Sequence, residues 1–148
     1  MLVTTRLIAG MLLAVWLAAG LALTLRPVQP LPGSVVVDNF IPFWTMAIYL
    51  ANSGSPFWVG QAIGNLLLLL PLGLLGPIAL PAMSGWLRVL LVALAASLAV
   101  EVAQLWIPNR SADVDDVVLN VVGAMIGYAI FRFLRLRSEG VTPVPERN

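Results

Sequence analysis

Residues 101–130, EVAQLWIPNRSADVDDVVLNVVGAMIGYAI, decide how this chain folds. They set Glu101, Gln104, Arg110, Asp113, Asp115, Asp116 and Asn120 inside or beside two segments otherwise apolar enough to lie in a lipid bilayer. A charge at the bilayer centre costs about 2.5–3.5 kcal/mol on insertion scales, so such groups are expected to face other protein or a water-filled cavity. Function is therefore sought in this stretch.

Spacing orders these groups. Glu101 and Gln104 share a helix face, with Glu101 about 10 Å of helix rise below Pro108. Asp113, Asp116, Asn120, Gly123 and Gly127 then form a single stripe on the next helix, following the helical period. Gly123 and Gly127 are a GxxxG pair that lets a neighbouring backbone approach, so the stripe is expected to look into a bundle. Asn65, with Gln61 one turn before it, adds a third polar face on a helix loosened by Pro71 and Gly73. Oxygens from three helices thus converge on one cavity, with Glu101, Arg110 and Asp116 expected as one hydrogen-bonded cluster, Asn120 beside it and Asn65 facing it.

Composition agrees with a membrane setting. Of 148 residues, 60% are hydrophobic and 10% charged, with a mean hydropathy of +0.97, whereas about a quarter of the residues of an average soluble domain are charged. Without cysteine there is no disulfide framework or thiolate metal site, and without histidine the commonest metal ligand and the usual neutral-pH base are missing. The eight arginines are spread along a chain of net charge +1, which gives no basis for nucleic-acid binding.

Four spans are expected, at about 7–25, 58–80, 87–107 and 114–134, each long enough to cross a hydrocarbon core of about 30 Å. The first exceeds the usual h-region of about 7–15 residues, which favours a retained anchor over a signal peptide, although Arg6 and Gly20-Leu21-Ala22 resemble signal-peptide features. The fold class is all-α integral membrane: a four-transmembrane-helix bundle in one domain, 1–137, with a flexible cytoplasmic tail, 138–148. Prolines punctuate residues 27–57, a long first loop with a short extended piece at Val35–Val37 and a turn at Asp38-Asn39. Its aromatics, Phe40, Phe43, Trp44, Phe57 and Trp58, suit the headgroup level and an interfacial or partly re-entrant course. With four spans, Arg6, Arg88, Arg132, Arg135, Arg137 and Arg147 share a side against Arg26 and Arg110. The positive-inside rule then makes both termini cytoplasmic and the long loop outward-facing.

Plain structural roles compete with functional ones. Asp113 is placed as an N-cap and Asp116, three residues on, as its capping-box partner, while Asp115, off the stripe, reads as a solvated first-turn charge. Arg110 serves to neutralise Glu101 or Asp116, and Asn65, Gln104 and Asn120 serve as interhelical hydrogen bonds. Glu101 is the residue such roles explain least, which makes it a candidate acid or base. Glu101, Asp113, Asp116 and Asn120 have the oxygens that Mg²⁺ or Ca²⁺ takes, but Arg110 would oppose an ion, so neither metal nor cofactor is expected.

The pattern of Glu101, Gln104, Arg110, Asp113, Asp116, Asn120, Gly123 and Gly127 resembles the E-x-x-Q and R-x-x-D-x-x-D-x-x-x-N-x-x-G-x-x-x-G signature of VanZ-like membrane proteins. Asn39-Phe40-Ile41-Pro42-Phe43 is similar to that family's N-x-x-P-F element, and Asn65 with Pro71 and Gly73 to its N-x-x-x-x-x-P-x-G helix. The likeness spans residues 39–128. It implies a bacterial cell-envelope protein related to one linked to teicoplanin resistance, without supplying a mechanism. Two readings follow. In the first, a non-catalytic pocket binds an amphiphilic or lipid-linked ligand, a membrane lipid or envelope precursor, through Asn39, Asn65, Gln104, Arg110, Asp113 and Asn120. In the second, a small intramembrane enzyme acts on a lipid-linked substrate with Glu101 as acid or base, Arg110 as anion clamp and Asp116 as partner carboxylate. The first is preferred because no nucleophile with an adjacent base is visible.

Overall fold

A computed structural model describes residues 3–29 and 37–139. Among the described residues five α-helices follow one another: α1 (Val3–Thr24), α2 (Trp44–Ala51), α3 (Pro56–Ala79), α4 (Trp86–Gln104) and α5 (Val114–Glu139), with a 3₁₀ turn at Pro81–Met83. All but α2 are long and apolar enough to cross a membrane, giving the expected four-helix membrane bundle. Among the described residues the only extended pairing is an isolated parallel bridge between Asn39 and Asp113.

The bundle is built on the α3–α5 crossing. A Cβ on Gly123 would overlap the Leu66 carbonyl, one on Gly127 the Leu70 carbonyl, and one on Gly73 the Ala124 carbonyl. The GxxxG pair thus meets α3 backbone to backbone, and α3 returns the approach through its own glycine. Matching Leu66 to Gly123 and Leu70 to Gly127 shows that the two helices run parallel. Leu13, Leu69, Leu72, Met83, Val89, Ala93 and Ala124 form the apolar core around this crossing. α1 lies on α3, where the Trp16 indole donates to the Leu68 carbonyl at 3.1 Å. α4 lies on α5, and the Tyr128 hydroxyl donates to the Ser84 carbonyl at 2.9 Å, fixing the far end of α5 to the turn before α4.

Four features depart from expectation, and the first is that α1 begins at Val3 rather than at 7. The first loop is not wholly irregular, because residues 44–51 form α2, a helix too short to be stable alone and held by groups described below. The third span ends at Gln104 rather than at 107, where the Trp106 and Ile107 amides bond the Ala103 and Gln104 carbonyls in tightened turns. α5 runs on to Glu139, beyond the expected 134. The extended piece at Val35–Val37 falls mainly on residues outside those described, as does most of the tail from 138 onward.

Candidate functional site

The polar residues gather at one end of the bundle, where α1 finishes, α3 and α5 begin and α2 lies across them. Helix ends there leave unpaired amides and carbonyls, and the signature residues take them up. Asp113 is the N-cap of α5, its Oδ1 accepting the Asp115 amide at 2.8 Å. The same carboxylate accepts the Asn39 side-chain amide at 2.9 Å and the Thr45 hydroxyl at 2.5 Å. Two backbone bonds pin the 37–40 segment here, Asn39 N–H to the Ala112 carbonyl at 2.9 Å and Val114 N–H to the Asn39 carbonyl at 3.0 Å. Asp38 adds a third by accepting the Ala112 amide at 2.9 Å.

Asp115 is where the sequence reading fails. It is fully buried, not solvated. Its carboxylate reaches across to α2 and accepts the Phe43 amide at 2.6 Å and the Met46 amide at 3.0 Å. A carboxylate therefore sits on the positive end of a two-turn helix, supplied from 72 residues along the chain. It also holds Phe43 at φ 67°, a left-handed conformation that a bulky residue adopts only under constraint. No local pattern announces this role. Thr45 and Tyr49, one helical turn apart, were a readable polar face, obscured by the prolines around them.

Arg110 is a second correction. Its Nε donates to the Arg26 carbonyl at 3.1 Å and a terminal nitrogen to the Leu23 carbonyl at 2.8 Å. Gln104 joins it by donating to the Thr24 carbonyl at 3.2 Å. Cation and amide thus close the C-terminus of α1, the end that favours positive charge. Among the described residues Arg110 makes no hydrogen bond to Glu101 or Asp116, so the expected three-residue hydrogen-bonded cluster does not form. Both carboxylates remain within electrostatic reach: burial and then Arg26 lower the Arg110 pKa, while Asp116 and Glu101 oppose them.

Glu101 is buried, and its Oε2 accepts the Asp113 amide at 2.7 Å. In a capping box that amide belongs to the residue at the third helical position, Asp116. Because Glu101 takes it from α4, Asp116 is left over. Its one described hydrogen bond is a long one, from the Tyr49 hydroxyl at 3.4 Å. Tyr49 is buried, and burial followed by the charges of Asp116 and Asp113 pushes its pKa above the ordinary phenol range, keeping it a donor.

The remaining expected residues lie deeper or apart. Asn120 is buried and donates to the Ser97 hydroxyl at 2.9 Å, joining α5 to α4. Its Oδ1 and the Gln104 Oε1 are buried without a partner among the described residues. Asn65 is half-buried on α3, next to the Leu66 whose carbonyl meets Gly123, and makes no described hydrogen bond. Among the described residues no group of three or more His, Cys, Asp or Glu is placed to hold a metal ion. Besides the buried Asn120 and Gln104 oxygens, hydrogen-bonding capacity is left, among the described residues, on Asp116, one oxygen of Glu101, Asn65 and the outer N–H groups of Arg110.

Compared with known protein families, residues 8–135 match the model described as VanZ/LLP1. No curated protein matches the chain, and no solved structure does.

Proposed function

The chain belongs to the VanZ/LLP1 family, and from that premise we propose that it is a multi-pass protein of the bacterial cytoplasmic membrane that binds the polar head of an amphiphilic or lipid-linked envelope ligand. The observation that carries the reading is the contrast between Asp116 and its neighbours. Asp113 and Asp115 have their oxygens occupied by amides and a hydroxyl, whereas Asp116 meets only the Tyr49 hydroxyl at 3.4 Å. A carboxylate in a membrane helix is expensive unless something uses it. Arg110, within electrostatic reach of Asp116 and Glu101, retains donors that suit an anionic headgroup, and Glu101 and Asn65 retain acceptors for hydroxyl or amine groups. Asn39, Gln104, Asp113 and Asn120 hold the frame around that site.

The test is expression of the intact chain in a glycopeptide-susceptible Gram-positive host. Tolerance is expected to rise more for teicoplanin than for vancomycin. The acyl chain of the former anchors it at the membrane surface, by about 0.8 kcal/mol per buried CH₂. Asp116→Asn is expected to abolish the gain. No change in tolerance, envelope composition or lipid-linked precursor levels would sink the reading.

A second reading, an enzyme acting on a lipid-linked substrate, draws on the placement of two carboxylates and the Tyr49 phenol at one helix end. Glu101→Gln separates the two. The amide oxygen can still accept the Asp113 N–H and preserve the fold, but proton transfer is lost. An enzyme relying on Glu101 loses nearly all activity, and a binding protein keeps most of its effect.

A further inference from the structure

At the end of the bundle opposite the polar cluster, two cavities share one residue, Arg6. The first, of about 660 Å³, lies between α1, α3 and α5, with Ile78, Phe131 and Leu134 in its walls and Arg6, Ser84 and Arg135 as polar lining. The second, of about 540 Å³, is almost entirely apolar and follows α1 past Leu7, Gly10, Met11 and Ala14, against Ala79 and Leu80. From Arg6 to Leu17 it extends over about 16 Å of helix rise. Gly10 keeps this groove open, since its missing side chain would otherwise project beside Ala79.

We propose that these cavities hold one anionic glycerophospholipid, its phosphate on Arg6 and one acyl chain in the groove along α1. Arg6 is exposed and has no described hydrogen-bond partner, so its guanidinium is free to take a phosphate in the paired geometry it favours. An aliphatic chain suits the apolar groove that begins at the same residue. Charge selects among lipids. Arg88, Arg132, Arg135 and Arg137 belong to the same end of the bundle, and this concentration of positive charge favours a net anionic headgroup over a zwitterionic one, which would bring its own cation. The site is separate from the polar cluster, and its fate does not depend on the function proposed there.

The experiment is lipid retention by the full chain. Purified protein is equilibrated in nanodiscs of equal phosphatidylglycerol and phosphatidylcholine, gently extracted, and weighed with its bound lipid by native mass spectrometry. One phosphatidylglycerol is expected to be retained in about tenfold preference, the factor that a charge-assisted contact supplies. Arg6→Ala should abolish the preference, Arg26→Ala at the other end should leave it, and Gly10→Leu, which fills the groove, should lower retention of both lipids. Equal retention by the intact chain, or an undiminished preference in Arg6→Ala, would overturn the proposal. If Gly10→Leu fails to fold, Arg6→Ala, at an exposed position, still decides the matter.

Discussion

The Glu101 carboxylate accepts the backbone N–H of Asp113 at 2.7 Å, so α4 completes the N-terminus of α5 in place of a residue from α5 itself. The same economy runs through this end of the molecule. Asp115 completes α2, and Arg110 and Gln104 complete α1. Each charged group lies at a helix end of complementary sign, which is how a bundle of apolar helices tolerates so many charges in one place. Asp116 stands outside this arrangement, and the functional reading rests on that difference.

Asp115 and Asp116 are adjacent carboxylates with opposite expected behaviour. Asp115→Ala orphans the Phe43 and Met46 amides and should cost at least about 2 kcal/mol, with early loss of hydrogen-exchange protection in α2. Asp116→Asn should cost less than about 1 kcal/mol, because a 3.4 Å contact is a weak hydrogen bond. Thermal unfolding in detergent measures both. Equal losses would mean that Asp116 is structural after all.

The glycines divide in the same way. Gly73→Ala, Gly123→Ala and Gly127→Ala each drive a methyl into a backbone carbonyl across the α3–α5 crossing, and a loss of folded protein is expected from each. Gly60→Ala and Gly64→Ala on α3 meet nothing within 4 Å. They should be tolerated or stabilise the helix by about 0.5–1 kcal/mol. The yield of monodisperse protein and its melting temperature report the contrast.

Arg110→Ala should loosen α1 without unfolding the rest. It removes the partners of the Leu23 and Arg26 carbonyls, at a cost of about 1–3 kcal/mol, whereas Arg132→Ala on the exposed far end of α5 should change little. Increased exchange confined to the last turn of α1 is the expected signature. Unchanged exchange there would show that Gln104 alone holds the end.

Topology is directly testable because the chain has no cysteine. Ser53 lies between α2 and α3, and Ser84 and Ser138 at the other end of the bundle. Single cysteines at these positions should label from outside intact cells at 53 only, if the arginine-rich end is cytoplasmic. Labelling at 84 but not 53 would reverse the orientation, and labelling at both would exclude the four-span arrangement in the membrane.

Much of the molecule was legible in the sequence because it depends on local period and composition. Four apolar runs defined the four spans, the GxxxG pair defined the face of α5 that packs, and Asp113 announced itself as a cap by preceding a helix. The signature spacing gave the family. What the sequence could not assign was partnership. Asp115 looked solvated because its partners, the Phe43 and Met46 amides, lie at the start of a short helix 72 and 69 residues away in the chain. Arg110 looked like the counter-ion of Glu101 because opposite charges nearby in sequence invite pairing, yet the carbonyls it meets are 84 and 87 residues away. Periodicity tells a side chain which way to face along its own helix. Which unpaired amide or carbonyl stands opposite is settled only when the α3–α5 crossing brings the other helix ends to the same place, and hydrogen bonds, which act over about 3 Å, go to whatever is there.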